Sequence, residues 1–178
     1  MRREQSRLLE FYDKLSEKYE EVYGAEQSAK HQRVSEILEG RHFGVGIDVA
    51  CGTGALLQRL RGRCNYLLGI DLSKKMLLVA KGKPGFGNVG LIRADSQALP
   101  LVAGVADLLL SISLVHAGPG AREQLSQLAR VAKPDGTLLV SMFHSDSARL
   151  EPEDHGLREV GDRLELSARE TLFCISRA

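Results

Sequence analysis

The chain has 178 residues, 43% of them hydrophobic and 26% charged, with a formal net charge of +1. That length suits one domain around one sizeable core. Charge so close to balance excludes a global pull toward nucleic acid or an anionic membrane, and the longest apolar runs are too short to span a bilayer.

The amino-terminal MRREQSRLLE has no apolar signal-peptide core. Cysteines Cys51, Cys64 and Cys174 are odd in number and widely spaced, and no Cys-x-x-Cys pair occurs. They indicate neither a zinc site nor a disulfide framework, so a reducing, cytoplasmic setting is expected.

The first segment reads as a helix. Leu8, Tyr12, Leu15, Tyr19 and Val22 recur at spacings of three and four, and Gly24 ends the run. A second, short helix carries Val34, Ile37 and Leu38 and stops at Gly40. Strands and helices then alternate. Strands are expected at 43–49 (FGVGIDV), 66–70 (YLLGI), 88–93 (NVGLIR), 106–112 (ADLLLSI) and 137–143 (TLLVSMF). These are largely continuous apolar runs, as strands covered on both faces require. Helices are expected near 54–62, 74–82 and 121–132. Ser73 is placed to cap the second of these, and KPDG at 133–136 turns the chain after the third. Segment 144–162 is short and polar and contains Pro152, Gly156 and Gly161, so a lid drawn from it must be small. Residues 163–167 (RLELS) and 171–176 (TLFCIS) read as an antiparallel hairpin. The rhythm predicts an α/β fold with a parallel sheet finished by that hairpin.

In open α/β sheets, ligands sit beyond the carboxyl ends of the strands, near the point where strand order reverses. The first three strand ends read DVACGTG (48–54), GIDL (69–72) and RADS (93–96). A dinucleotide site needs Gly-x-Gly-x-x-Gly, but Leu57 stands in the place of the last glycine. Asp48 beside the loop would also repel a pyrophosphate. A cationic ligand without phosphates fits better. Asp71 suits a ribose, since a carboxylate accepts from both vicinal hydroxyls, and Asp95 can accept from an adenine amine. A ribose, an adenine and an ammonium or sulfonium together describe S-adenosylmethionine.

Four blocks, in order and compatibly spaced, resemble the class I S-adenosylmethionine-dependent methyltransferases, in particular the small type related to quinone-biosynthesis methyltransferases. They are DVACGTGALL, LLGIDLSKKML, IRADSQALPLVAGVADLLLSISLVH and LARVAKPDGTLLVSMF, and they cover about residues 43–143. The resemblance implies a Rossmann-like, mostly parallel seven-stranded sheet with helices on both faces. It implies a single methyltransferase domain over 1–178, with 1–40 as an N-terminal helical lid and 41–178 as the core.

By the same resemblance Asp48 meets the methionine amino group. The loop of Ala50, Cys51, Gly52 and Gly54 passes under the methionine part. Asp71 binds the ribose hydroxyls, Leu72 packs on the adenine and Met76 joins that side. Asp95 meets the adenine amine, and the Ser96 backbone N–H meets a ring nitrogen. Ser111 lies near the methyl, and Tyr12 and Tyr19 close over the cofactor. The family usually has glycine where this chain has Ala50, and KPDG replaces a commoner Lys-Pro-Gly-Gly.

Simpler roles stand beside these. Gly52 and Gly54 also suit a strand–helix turn, Asp71 and Asp95 suit helix caps, and Tyr12 and Tyr19 suit core packing. Cys51 has no evident base beside it and reads as a small loop residue. His116 follows the fourth strand and is the candidate to orient or deprotonate the acceptor; His144 is a weaker one. Arg59, Arg61, Arg63, Lys74, Lys75, Lys81 and Lys83 read as a solvated face. No metal site is indicated.

Methyl transfer to a small-molecule acceptor is the leading expectation. A methyltransferase of tRNA or protein with a partner subunit is the alternative, and a non-catalytic cofactor-binding regulatory subunit is another. The SISLVH segment lacks the Asn/Asp-Pro-Pro-aromatic motif that resemblance associates with adenine or glutamine amino methylation. A homodimer or a partner chain that completes the pocket stays open.

Overall fold

The computed structural model describes residues 3–86, 89–116, 120–144, 157–160 and 163–177. Two helices come first, α1 (Arg3–Leu15) and α2 (Tyr19–Ile37). Alternating elements follow: β1 (Phe43–Val49), α3 (Ala55–Leu60), β2 (Cys64–Asp71), α4 (Lys74–Lys81), β3 (Val89–Arg93), β4 (Ala106–Val115), α5 (Ala121–Val131) and β5 (Ala132–Phe143). Three strands close the chain, β6 (Leu157–Glu159), β7 (Leu164–Ser167) and β8 (Glu170–Arg177).

The strands form one sheet in the order β3-β2-β1-β4-β5-β8-β6, with β7 also on β8. β1 to β5 are parallel, and β6, β7 and β8 are antiparallel. β6 adds a strand beyond the seven expected, yet the sheet has seven lanes. Ile175 pairs with both Leu138 and Glu159, and Leu172 with both Ser141 and Leu164. β6 and β7 therefore share the outer edge of β8 as one interrupted strand.

Side-chain alternation divides the core into two layers. Leu108 and Leu110 of β4 face Val34, Leu38, Leu57 and Leu60 on α2 and α3. Leu109 faces Leu125 and Leu128 of α5 on the other side. Ser73 caps α4 as expected, accepting from the Met76 N–H at 3.1 Å.

The amino-terminal region departs from expectation. The first helix breaks at Ser16–Lys18, where Ser16 Oγ donates to the Asp13 carbonyl at 3.1 Å and Lys18 N–H to the Leu15 carbonyl at 2.9 Å. The second helix starts earlier and runs through Gly24. An internal glycine costs a helix only about 1 kcal/mol, and burial of Lys30, His31, Val34 and Leu38 anchors this one. The apolar stripe is also less buried than its periodicity predicts: Leu8 is 54% and Val22 58% exposed.

KPDG does not end the α5 connection as a free turn. It lies within β5 as a bulge, because Ala132 pairs with Ala106 while Thr137 already pairs with Leu108. Of segment 144–162, residues 145–156 and 161–162 lie outside the described residues.

Gly54 caps α3 in the left-handed region, with φ 75°. A Cβ there would approach the Phe86 ring at 2.8 Å and Ala80 Cβ at 3.1 Å. Gly54→Ala is expected to lower unfolding stability by about 1–3 kcal/mol, through backbone strain and overpacking. Urea unfolding of both proteins checks this; equal midpoints contradict it.

Candidate functional site

The carboxyl ends of β1, β2, β3 and β4 open into a cavity of about 1070 Å³ under α1 and α2. It lies where the order reverses between β1 and β4, as strand topology requires. Asp48, Asp71 and Asp95 all line it.

Asp48 is 3% exposed. Among the described residues no hydrogen bond reaches its carboxylate, and burial, aided by the nearby Asp71 charge, pushes its carboxyl up to about 8. A buried anion without a donor is costly and becomes protonated instead.

Asp71 is tied in place. Its Oδ2 accepts from the Gly52 N–H and its Oδ1 from the Ser73 N–H, both at 2.8 Å. It thus secures both the glycine loop and the start of α4. A carboxylate has about four lone-pair positions, so two remain for a ligand's vicinal hydroxyls. Burial raises its carboxyl, opposed by those two N–H groups. Asp95 Oδ1 accepts from the Gln97 N–H at 2.9 Å, and Ser96 Oγ from Gln124 Nε2 at 3.0 Å.

The loop between β1 and α3 depends on left-handed backbone at Ala50 (φ 65°), Gly52 (φ 53°) and Gly54. Ala50 adopts the conformation that glycine favours at a cost of about 1–2 kcal/mol. Above Gly52 a Cβ would meet nothing within 4 Å, so the bare backbone faces open cavity. Ala50, Cys51, Gly52, Leu72, Met76, Ser96, Tyr12, Tyr19 and His116 all join the wall.

Two expected residues do not. Gly54 is buried against Phe86 and Ala80, so its freedom serves helix packing. Ser111 is 0% exposed, and its hydroxyl has no partner among the described residues. The cause is a register shift in β4: Ser111 pairs with Val140 but Val115 with Met142. The resulting bulge presents Ile112, Ser113 and Leu114 to the cavity instead.

Tyr12 and Tyr19 lie 6.3 Å apart between ring centroids. Burial raises both phenols, so they stay neutral across the physiological range. Asp13 accepts from Ser73 Oγ, which fastens α1 to the β2–α4 turn. Burial also raises the Cys51 thiol, with Asp48 and Asp71 adding to the effect, which disfavours a nucleophilic thiolate. His116 is exposed, and its ring stacks on Phe143 at 4.3 Å. His144 is exposed too, with its backbone N–H on the Arg169 carbonyl.

The basic positions are not one solvated face. Lys74, Lys75 and Lys81 are exposed. Arg61 and Arg63 donate to the Pro84 and Leu38 carbonyls. Arg59 and Lys83 line the cavity, where Lys83 pairs with Glu20 and Thr53 Oγ1 donates to the same carboxylate at 2.6 Å.

Sequence reasoning missed His31, Ser113 and this Glu20 group. His31 is 9% exposed, and burial with nearby Arg59, Lys30 and Lys83 lowers its imidazole to about 4, so the ring is neutral. An unbroken α2 puts it beside Val34 on the inner face, but the expected stop at Gly24 hid that relation.

Residues 47–140 match the family model described as a methyltransferase domain. The ubiquinone/menaquinone biosynthesis C-methyltransferase UbiE of Campylobacter jejuni is 32% identical over 155 residues, covering 78% of this chain and 64% of that one. The malonyl-[acyl-carrier protein] O-methyltransferase of Salmonella typhimurium is 30% identical, covering 71% and 49%. The chain therefore spans about half to two thirds of these curated relatives. Among solved structures, a Haloferax volcanii putative methyltransferase, in complex with the Trm112 methyltransferase activator, superposes with a TM-score of 0.79 at 15% identity, covering 94% of this chain and 97% of that one.

Asp48 generates a pH prediction. Its carboxyl titrates near 3.8 ordinarily and at about 8 here, so the folded state holds the extra proton across that window. Stability of the ligand-free protein therefore falls as pH rises from 4 to 8. Asp48→Asn should flatten that decline and raise the melting temperature at pH 8 by roughly 2–4 °C. Thermal melts across this range check it; an unchanged or lower melting temperature contradicts it.

Proposed function

The chain belongs to the methyltransferase-domain family, and we propose that it transfers the methyl group of S-adenosylmethionine to a small-molecule acceptor. One observation carries this reading: a buried, unpartnered Asp48 at the foot of a cavity whose next two strand ends present Asp71 and Asp95. The residues fit the cofactor. Asp48 lacks the cationic donor that an ammonium would supply, and Asp71 keeps lone pairs for two hydroxyls. A phosphate-bearing dinucleotide would set negative charge against Asp48.

When bound, the cofactor supplies an already activated methyl group, so the protein's task is positioning and exclusion of water. Asp48 holds the amino group, and the Ala50–Gly52 backbone underlies the methionine part. Asp71 fixes the ribose. Asp95 and Ser96 read the adenine edge, while Leu72 and Met76 pack its faces. Tyr12 and Tyr19 cover the site, with residues 1–40 acting as the lid of one domain that spans 1–178. His116 orients the acceptor or receives its proton. An imidazole ring suits that role, and its exposure at the wall gives an incoming molecule access.

A small-molecule acceptor is supported by the relative named for ubiquinone/menaquinone biosynthesis, a C-methyltransferase. A partner subunit is the second reading, and it is supported by the Haloferax chain's association with an activator. No helix among the described residues is long and apolar enough to cross a membrane. The three cysteines are free thiols, which supports a cytoplasmic compartment.

Calorimetry with S-adenosylhomocysteine and with NAD tests the cofactor assignment. The first should bind and the second should not; binding of NAD alone contradicts the reading. Asp71→Ala should weaken S-adenosylhomocysteine binding by about 1.5–3 kcal/mol, the worth of a charge-assisted acceptor. Unchanged affinity in a folded variant would move the ribose elsewhere.

A further inference from the structure

Four polar side chains that the proposed reaction does not use meet behind the cavity wall. Glu170 opens β8 and is 0% exposed, and Lys30 of α2 is 2% exposed. Lys30 Nζ pairs with Glu170 Oε1, donates to Ser113 Oγ at 3.1 Å and lies 2.9 Å from Glu26. Ser113 Oγ is 3.0 Å from each Glu170 oxygen, and Ser141 Oγ donates to Oε2 at 2.7 Å. The Ser113 backbone N–H in turn donates to Ser141 Oγ at 2.7 Å.

Each part of this arrangement is unfavourable by itself. Apolar residues of similar volume in place of a buried ion pair are often neutral or stabilising. Ser113 has φ 58°, a conformation that a side chain disfavours. The bulge at 112–114 gives up ladder hydrogen bonds between β4 and β5. All three departures converge on one segment that lines the cavity. Strain concentrated beside a ligand site points to a positioning role.

We propose that Lys30 and Glu170 are positioning residues of the methyl-transfer site: through Ser113 and Ser141, their buried pair locks helix α2 and the bulged end of β4 into one rigid cavity wall. The proposal rests on the methyltransferase reading above. The bulge frees the Ser113 N–H, Ser141 receives it, and Glu170 holds both hydroxyls. Lys30 then ties this unit to α2, which carries Tyr19, Gln27 and His31 on the cavity side. The cover over the cofactor and the wall facing the acceptor move together or not at all.

The test separates positioning from stability. In Lys30→Met/Glu170→Met the apolar volume is kept and the directional bonds are lost. Removal of the buried ion pair offsets the two hydroxyls left without their carboxylate, so the double variant should melt close to the wild-type temperature. It should still bind S-adenosylhomocysteine about tenfold more weakly, with α2 amides near residue 30 exchanging about tenfold faster. Ser141→Ala, which leaves the ion pair in place, should shift both readouts in the same direction and serves if the double variant does not fold. Wild-type affinity together with wild-type α2 exchange in the folded variant would overturn the proposal. If the wild-type chain does not bind S-adenosylhomocysteine, the methyltransferase reading fails, and amide exchange in the ligand-free proteins still decides whether the pair locks α2.

Discussion

Asp48 is the next-to-last residue of β1, in register with Gly69 of β2 and Leu110 of β4. Neighbouring strands bury its carboxylate, no donor among the described residues reaches it, and Asp71 places a second acidic group close by. The surrounding structure accommodates this cost. Gly69 leaves no room for a Cβ, which would meet Leu57 at 2.5 Å and Cys51 Sγ at 2.8 Å, so α3 and the loop press closely on the strand. The loop can bend so tightly only through left-handed backbone at successive alternate positions. Asp71 then fixes the loop by accepting from the Gly52 N–H. In the proposed reading, a cationic ligand supplies the missing donor to Asp48 and offsets the cost of its burial.

The cavity has two chemically different ends. Leu72, Met76 and Ala94 make an apolar wall beside Asp71 and Asp95, which suits a flat base attached to a sugar. The other end is polar, with Thr53, Glu20, Lys83 and a neutral His31 beneath α2. Helices α1 and α2 join both ends: Asp13 binds Ser73 at one and Lys30 reaches Glu170 at the other. In the proposed reading, this cavity is held by polar contacts whose replacement by apolar packing is often neutral or stabilising.

The alternation of apolar runs with amphipathic segments made the parallel sheet legible, because strands buried on both faces read as unbroken Val/Leu/Ile stretches such as 106–112. The three acids at strand ends were legible for the same reason: polar residues that terminate such runs stand out. Ser111 was misplaced because a bulge is a tertiary event, set by how β4 meets β5, and two extra residues between Ser111 and Val115 change which side chains line the cavity. Gly24 misled because glycine is a weak helix breaker when tertiary contacts anchor the helix. Glu170 and Lys30 are 140 residues apart, and no local pattern pairs them. β6 is only three residues long, which leaves too little alternation to read.

Proton linkage tests the central claim most directly. Calorimetric titration of S-adenosylhomocysteine near pH 7, in buffers of different ionisation enthalpy, counts protons exchanged on binding. In the free protein the Asp48 carboxyl titrates at about 8 and is mostly protonated at pH 7. An ammonium placed beside it favours the carboxylate, so binding should release about one proton, and the release should vanish in Asp48→Asn. Binding with no proton released, or with the same release in the variant, would contradict the account.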